Sequence, residues 1–94
     1  MFQNARYLTS GVNAEIPPEI QLFMWSCIDQ LPADRDYLQV FELSEMAGMQ
    51  QIIHHSEQPE HRMVYALPCD HPITAKVYVI DSGDYSTMLL ASEY

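Results

Sequence analysis

The stretch Pro17-Pro-Glu-Ile-Gln-Leu-Phe-Met-Trp-Ser-Cys-Ile-Asp-Gln-Leu-Pro32 decides how the chain is read. At about 100° per residue, Ile20, Phe23, Met24, Cys27, Ile28 and Leu31 fall on one stripe of a helical wheel, the pattern of a helix with one face on a core. Prolines are tolerated in a first helical turn, and Glu15 and Glu19 suit the positive end of the helix. Pro32 ends it, because the residue before a proline is pushed out of the α region. Leu22 and Trp25 break the pattern. They lie on the opposite side with Gln21, Ser26 and Asp29, three residues apart and therefore neighbours on one surface. Something is expected to cover them: the N-terminal segment, the tail around Glu93-Tyr94, or a partner.

Outward from this helix the pattern is extended. Residues 5 to 12 read as a short strand followed by a loop from Gly11 to Ala14, and Ala33 to Asp36 form a connector after the helix. Tyr37 to Ser44 is rich in aromatic and β-branched residues, and a turn near Ala47-Gly48 leads into Met49 to His55 as a hairpin. Gln58 to Glu60 reads as a loop and His61 to Leu67 as the next strand, broken by Pro68 to Pro72. Ala75 to Ile80 and Tyr85 to Leu90 flank Asp81-Ser82-Gly83-Asp84, a strong turn signal. Thr87 to Tyr94 contains good helix formers, but the turn presents this segment directly to its neighbour, so strand is expected to about Leu90. The expected fold is α+β: one amphipathic helix packed on a mostly antiparallel sheet of five or six strands, in two layers, forming a single domain over residues 1–94.

The chain has 94 residues, 48% apolar and 11% aromatic, a composition normal for a packed globular protein. It has no apolar run of about 18 residues that would span a membrane and no signal-peptide pattern at Met1 to Tyr7, so a cytoplasmic location is expected. Thirteen acidic residues stand against Arg6, Arg35, Arg62 and Lys76, a net charge of −9. Such a surface repels phosphates and argues against direct nucleic-acid binding. The acids are scattered rather than blocked, so no disordered acidic tail is expected. Two cysteines are too few for a disulfide framework. Cys27, on the apolar stripe, is expected in the core, and Cys69 in a loop.

Residues 15 to 25 (Glu-Ile-Pro-Pro-Glu-Ile-Gln-Leu-Phe-Met-Trp), 36 to 43 (Asp-Tyr-Leu-Gln-Val-Phe-Glu-Leu) and 77 to 90 (Val-Tyr-Val-Ile-Asp-Ser-Gly-Asp-Tyr-Ser-Thr-Met-Leu-Leu) resemble a family of short uncharacterised proteins. The family is a domain of unknown function found in Firmicutes and their mobile elements. The resemblance runs over nearly the whole chain in order and spacing. It implies a bacterial, intracellular protein and brings no catalytic or binding residues with it.

Four histidines, His54, His55, His61 and His71, lie within reach of Cys69 in sequence. Structural zinc usually takes paired, closely spaced ligands, which are missing here, and neighbours such as His54 and His55 point to opposite faces of a strand. Solvent-facing histidines are the expectation. Cys69-Asp70-His71 contains a thiol, an acid and a base, but groups so close in sequence seldom form a triad. Asp81 to Asp84 lacks the twelve-residue span of a calcium loop, and the isolated Gly11, Gly48 and Gly83 make no phosphate loop. Tyr37, Tyr65, Tyr78 and Tyr85 have only Arg62 and Lys76 nearby to hold phosphates, so they are expected in or at the edge of the sheet.

The functional expectation is a non-enzymatic protein-interaction module without cofactor or membrane contact. Its interface would be Leu22, Trp25 and Asp29, its acids would steer a basic partner, and self-association as a homodimer is the simplest version. One alternative is a mobile-element accessory protein acting as an acidic decoy of nucleic acid, which requires acids gathered on one face. Another is a metal-binding or thiol enzyme using Cys69 and the histidines.

Overall fold

The computed structural model describes residues 2–94, and within them lie six strands, two α-helices and one short 3-10 turn. In chain order these are β1 (Ala5–Leu8), α1 (Ser10–Glu15), α2 (Pro18–Asp29), β2 (Leu38–Met46), β3 (Met49–Glu57), β4 (Glu60–Pro68), β5 (Ala75–Asp81) and β6 (Tyr85–Leu90), followed by the turn at Ala91–Glu93. The strands form one sheet in the order β1-β6-β5-β2-β3-β4. Every pairing is antiparallel except β1 with β6, so the sheet is mixed. An α+β fold is established.

Two details of the sequence reading are corrected. Residues 5 to 12 are not one strand, because Thr9 stops it and caps a second helix: its Oγ1 accepts the Val12 N–H at 3.2 Å. Val12 is fully buried, so tertiary packing supports a helix too short to be stable alone. The main helix ends at Asp29, two residues before Leu31, with Pro18 in its first turn as expected.

The hairpins follow their turn residues. Ala47 (φ 52°) and Gly48 (φ 75°) both take positive φ, the two-residue loop whose twist matches the flanking strands, and pair Met46 with Met49. Gly83 (φ 103°) closes the β5–β6 hairpin, with its N–H donated to Asp81 Oδ1 at 2.7 Å. β6 runs to Leu90, and the tail then makes a single 3-10 turn.

One buried cluster joins Val12 of α1 and Ile20, Met24, Trp25, Cys27 and Ile28 of α2 to Phe41, Leu43, Ile52, Val77, Val79, Met88 and Leu90 of the strands. These strand residues alternate along each strand and face one another across it: Phe41 opposite Val77, Leu43 opposite Ile52, Val79 opposite Met88. Both edges of the sheet reach α2. Phe23 meets Tyr65 of β4 edge-on at 5.1 Å, and the Arg6 guanidinium of β1 lies 4.6 Å from the centre of the Trp25 ring.

Candidate interaction surfaces

Of the helix surface singled out by the sequence, Trp25 is covered by the chain itself. Trp25 is 9% exposed, with Arg6 of the N-terminal segment across its ring. Arg6 grips Asp29 through both guanidinium Nη atoms and also donates to the Phe2 carbonyl from Nε and Nη2. The Arg6 hydrogen bond holds the Asp29 carboxyl below the usual range, against a smaller opposing effect of burial. Of the covers expected for Trp25, the one found is the N-terminal segment, whose Arg6 cation lies over the ring from 19 positions upstream in sequence. Leu22, 69% exposed, stays outside this arrangement.

The histidines part company. His54 is fully buried, against the expectation of a solvent-facing ring, stacked on Phe41 at 4.3 Å and edge-on to His61 at 4.9 Å. The Gln39 amide donates to the Asp36 carbonyl at 2.8 Å, which leaves Gln39 Oε1 facing His54 Nε2 at 2.6 Å. That ring nitrogen accordingly carries the proton, and Nδ1 is a buried acceptor without a partner. Burial, with His61 and His55 nearby, lowers the His54 pKa to about 4. His55 points to the other face and meets Glu42 at 2.9 Å, while His71 lies beside Cys69 on the β4–β5 loop. Among the described residues no group of three His, Cys, Asp or Glu side chains gathers as metal ligands would. Burial pushes the Cys27 thiol up, opposed by its hydrogen bond with Tyr65, which is the reverse of an activated nucleophile.

The surface that sequence reasoning missed is the second face of the sheet. Strand residues alternate, so if Phe41, Leu43, Ile52, Val77, Val79 and Met88 face the helices, their neighbours face away. Across the sheet these form rows. Tyr7, Thr87, Ile80 and Leu38 make one, Leu89, Tyr78, Val40, His55 and Arg62 the next, and Lys76, Glu42, Ile53 and Val64 a third. Tyr94 of the tail sits edge-on to Tyr78 at 5.4 Å, and Tyr85 to Tyr7 at 5.9 Å. Two shallow depressions, of about 530 and 790 Å3, adjoin His55 on this side. Two of the chain's four basic residues, Arg62 and Lys76, stand here against Glu42, Glu57 and Glu60, so the face is close to neutral on a chain of charge −9. The other acids are spread over both helices, the connector, the end of β2, the β4–β5 loop, the β5–β6 hairpin and the tail.

At one end of the sheet β4 runs nine residues as an edge strand, with Met63 46% and Val64 50% exposed. The opposite edge, β1, has four residues.

This architecture defines a small α+β protein built on a mixed six-stranded sheet. The chain belongs to the bacterial family described as staphylococcal protein of unknown function (DUF960), whose model matches residues 5–93, in agreement with the resemblance seen in the sequence. Its fold is similar to the crystal structure of a protein of unknown function from Enterococcus faecalis, with a TM-score of 0.83 at 23% identity over 97% of this chain and 91% of that one. Both names fall within the Firmicutes. No curated protein matches the chain. Among the described residues no helix is long and apolar enough to cross a membrane.

Proposed function

We propose that this chain is a non-catalytic protein-interaction module whose contact surface is the open face of the sheet. The observation that carries the reading is the pair of faces: one side is filled by helix side chains, and the other carries the half-buried Leu38, Ile80, Tyr78 and Leu89 in adjacent rows around the buried Val40. A contiguous apolar patch of this kind on a surface rimmed by charge is typical of a binding site. Tyrosines there supply large contact area with few rotatable bonds, and the near-neutral centre avoids burying unpaired charge. The acids surrounding it would act at longer range, on the approach of a charged partner. The unpaired Cys27 and Cys69 suit a reducing, cytoplasmic setting.

The test is site-specific photo-crosslinking in staphylococcal cells. A photoreactive residue at Leu89 or Tyr78 is expected to trap a protein, whereas one at Glu19 or Asp84, away from this face, is not. Equal trapping at all four positions, or none at Leu89 and Tyr78, would overturn the assignment.

A further inference from the structure

We infer that β4 pairs with β4 of a second copy of this chain, antiparallel about a two-fold axis at Val64, joining two sheets edge to edge. The inference rests on the open face as a binding surface, because this pairing extends that face across the junction.

The direction of the backbone groups follows from the hairpins. The two-residue loop Ala47-Gly48 makes Met46 and Met49 a hydrogen-bonded pair, so Gln51, Ile53, His55 and Glu57 also direct their backbone groups toward β2. The Glu57 N–H agrees, reaching Asp36 just before β2. The alternate residues Ile52, His54 and Ser56 therefore bond β4 through Tyr65, Met63 and His61. What remains on β4 points outward: the N–H and C=O of Glu60, Arg62, Val64 and Ala66, and the C=O of Pro68. Among the described residues no strand lies beyond them.

Proteins protect such edges by shortness, charge, proline or a bulge. β1 has the first device, with four residues. β4 has nine, its proline stands at the last position, and between His61 and Pro68 its single charge is Arg62. The strand is also complementary to itself. Val64 is the midpoint of Glu60–Pro68, so a two-fold there aligns the whole strand: Val64 meets its own copy, Arg62 meets Ala66, and Glu60 meets Pro68. No like charges stand opposite, and every outward group except the carbonyl of Glu60 has a partner. The half-exposed Val64 side chains come together on the open face beside Ile53, and Met63 comes opposite Tyr65 on the other. A basic segment would suit the chain's overall charge, but it would meet Arg62 at the centre of this edge. Two copies of charge −9 repel at long range, so added salt should strengthen the association, the reverse of binding to a basic partner.

Analytical ultracentrifugation of the 94-residue chain, at concentrations into the hundreds of micromolar and at low and high salt, reads the dimer directly. The expected result is a concentration-dependent dimer favoured by salt, and weakened more than about tenfold by Val64→Lys, which sets two ammonium groups face to face. A second arm does not depend on that variant folding. In a Cys69→Ser background, Val64→Cys should cross-link to its copy through a short bis-maleimide. Ala66→Cys should not, because four residues of offset along the strand separate those positions by about 13 Å. A chain monomeric throughout, a dimer indifferent to a folded Val64→Lys, or cross-linking at 66 in place of 64 would each overturn the inference. A monomer would leave the open face itself to be judged by photo-crosslinking at Tyr78 and Leu89.

Discussion

The buried His54 makes the stability of this fold sensitive to mild acid. The ring is neutral in the folded chain, with a pKa of about 4, against 6.5 when unfolded. As pH drops below the unfolded value, the unfolded chain takes up a proton that the folded chain refuses, so stability falls. The loss grows through this window and levels off below the folded value. From these two values, linkage gives a loss of about 2 kcal/mol between about pH 7.5 and pH 5, and roughly 3 kcal/mol at the plateau. Asp29, Asp36 and Asp81 have lowered pKa values and contribute at still lower pH, so the window above about pH 5 belongs mainly to histidine. Urea unfolding followed by the fluorescence of Trp25, the chain's single tryptophan, measures the effect. For a chain of this size the midpoint should fall by roughly 1–2 M urea over that interval. His54→Phe retains an aromatic ring against Phe41 and removes the titration. It leaves Gln39 Oε1 without its donor, a cost of about 1–2 kcal/mol that does not vary with pH. The variant should therefore be less stable at neutral pH and lose much less on acidification. Equal losses in the two proteins would refute the assignment of the acid response to His54.

Three further outcomes are expected. Arg6→Ala removes the cover of Trp25 and the grip on Asp29. Its tryptophan emission should shift to the red and its urea midpoint should fall by the equivalent of about 1–2 kcal/mol, and unchanged emission would contradict the stacking. Ala47→Asn places a residue that tolerates the left-handed region at a φ of 52° and should raise stability by about 0.5–1 kcal/mol in the same assay. Asp36→Ala strips the acceptor from the N–H groups of Leu38 and Gln58, at 3.1 and 2.9 Å, and should cost about 1–2 kcal/mol, with faster amide exchange in the β3–β4 turn. Burial raises the Asp36 pKa, but the backbone N–H groups of Leu38, Gln58, Glu57 and Tyr37 together hold it low, so its contribution is present near neutrality and fades in acid.

Signals acting over a few residues were legible in the chain. The helix from Pro18 follows from its proline and the spacing of Ile20, Met24, Cys27 and Ile28. The hairpins follow from Ala47-Gly48 and from Asp81 to Asp84, and the end of β6 from its turn. Each is a matter of backbone preference or apolar period within one segment. The strand–helix break at Thr9 was not legible, because Thr-Ser-Gly-Val suits either state until Val12 finds a core. His54 was not legible either. A polar residue on a strand reads as exposed until Gln39, 15 positions earlier, is known to face it.

The amino-acid sequence by itself determined the kind of every strand and helix except the short helix α1, most of the boundaries, the acidic charge and the family. Only the tertiary structure decided which surfaces face water. In β2, Leu38, Val40, Phe41 and Leu43 place apolar side chains on both sides of the strand, so period alone cannot say which side the helices take. That choice depends on where the chain's two ends meet: β1 docks parallel to β6, some 80 residues later in sequence, and Arg6 thereby closes over Trp25. The same docking leaves Tyr78, Ile80 and Leu89 on the uncovered face and β4 at the far edge. Contacts between distant segments settle these matters, and no short stretch of sequence contains both partners.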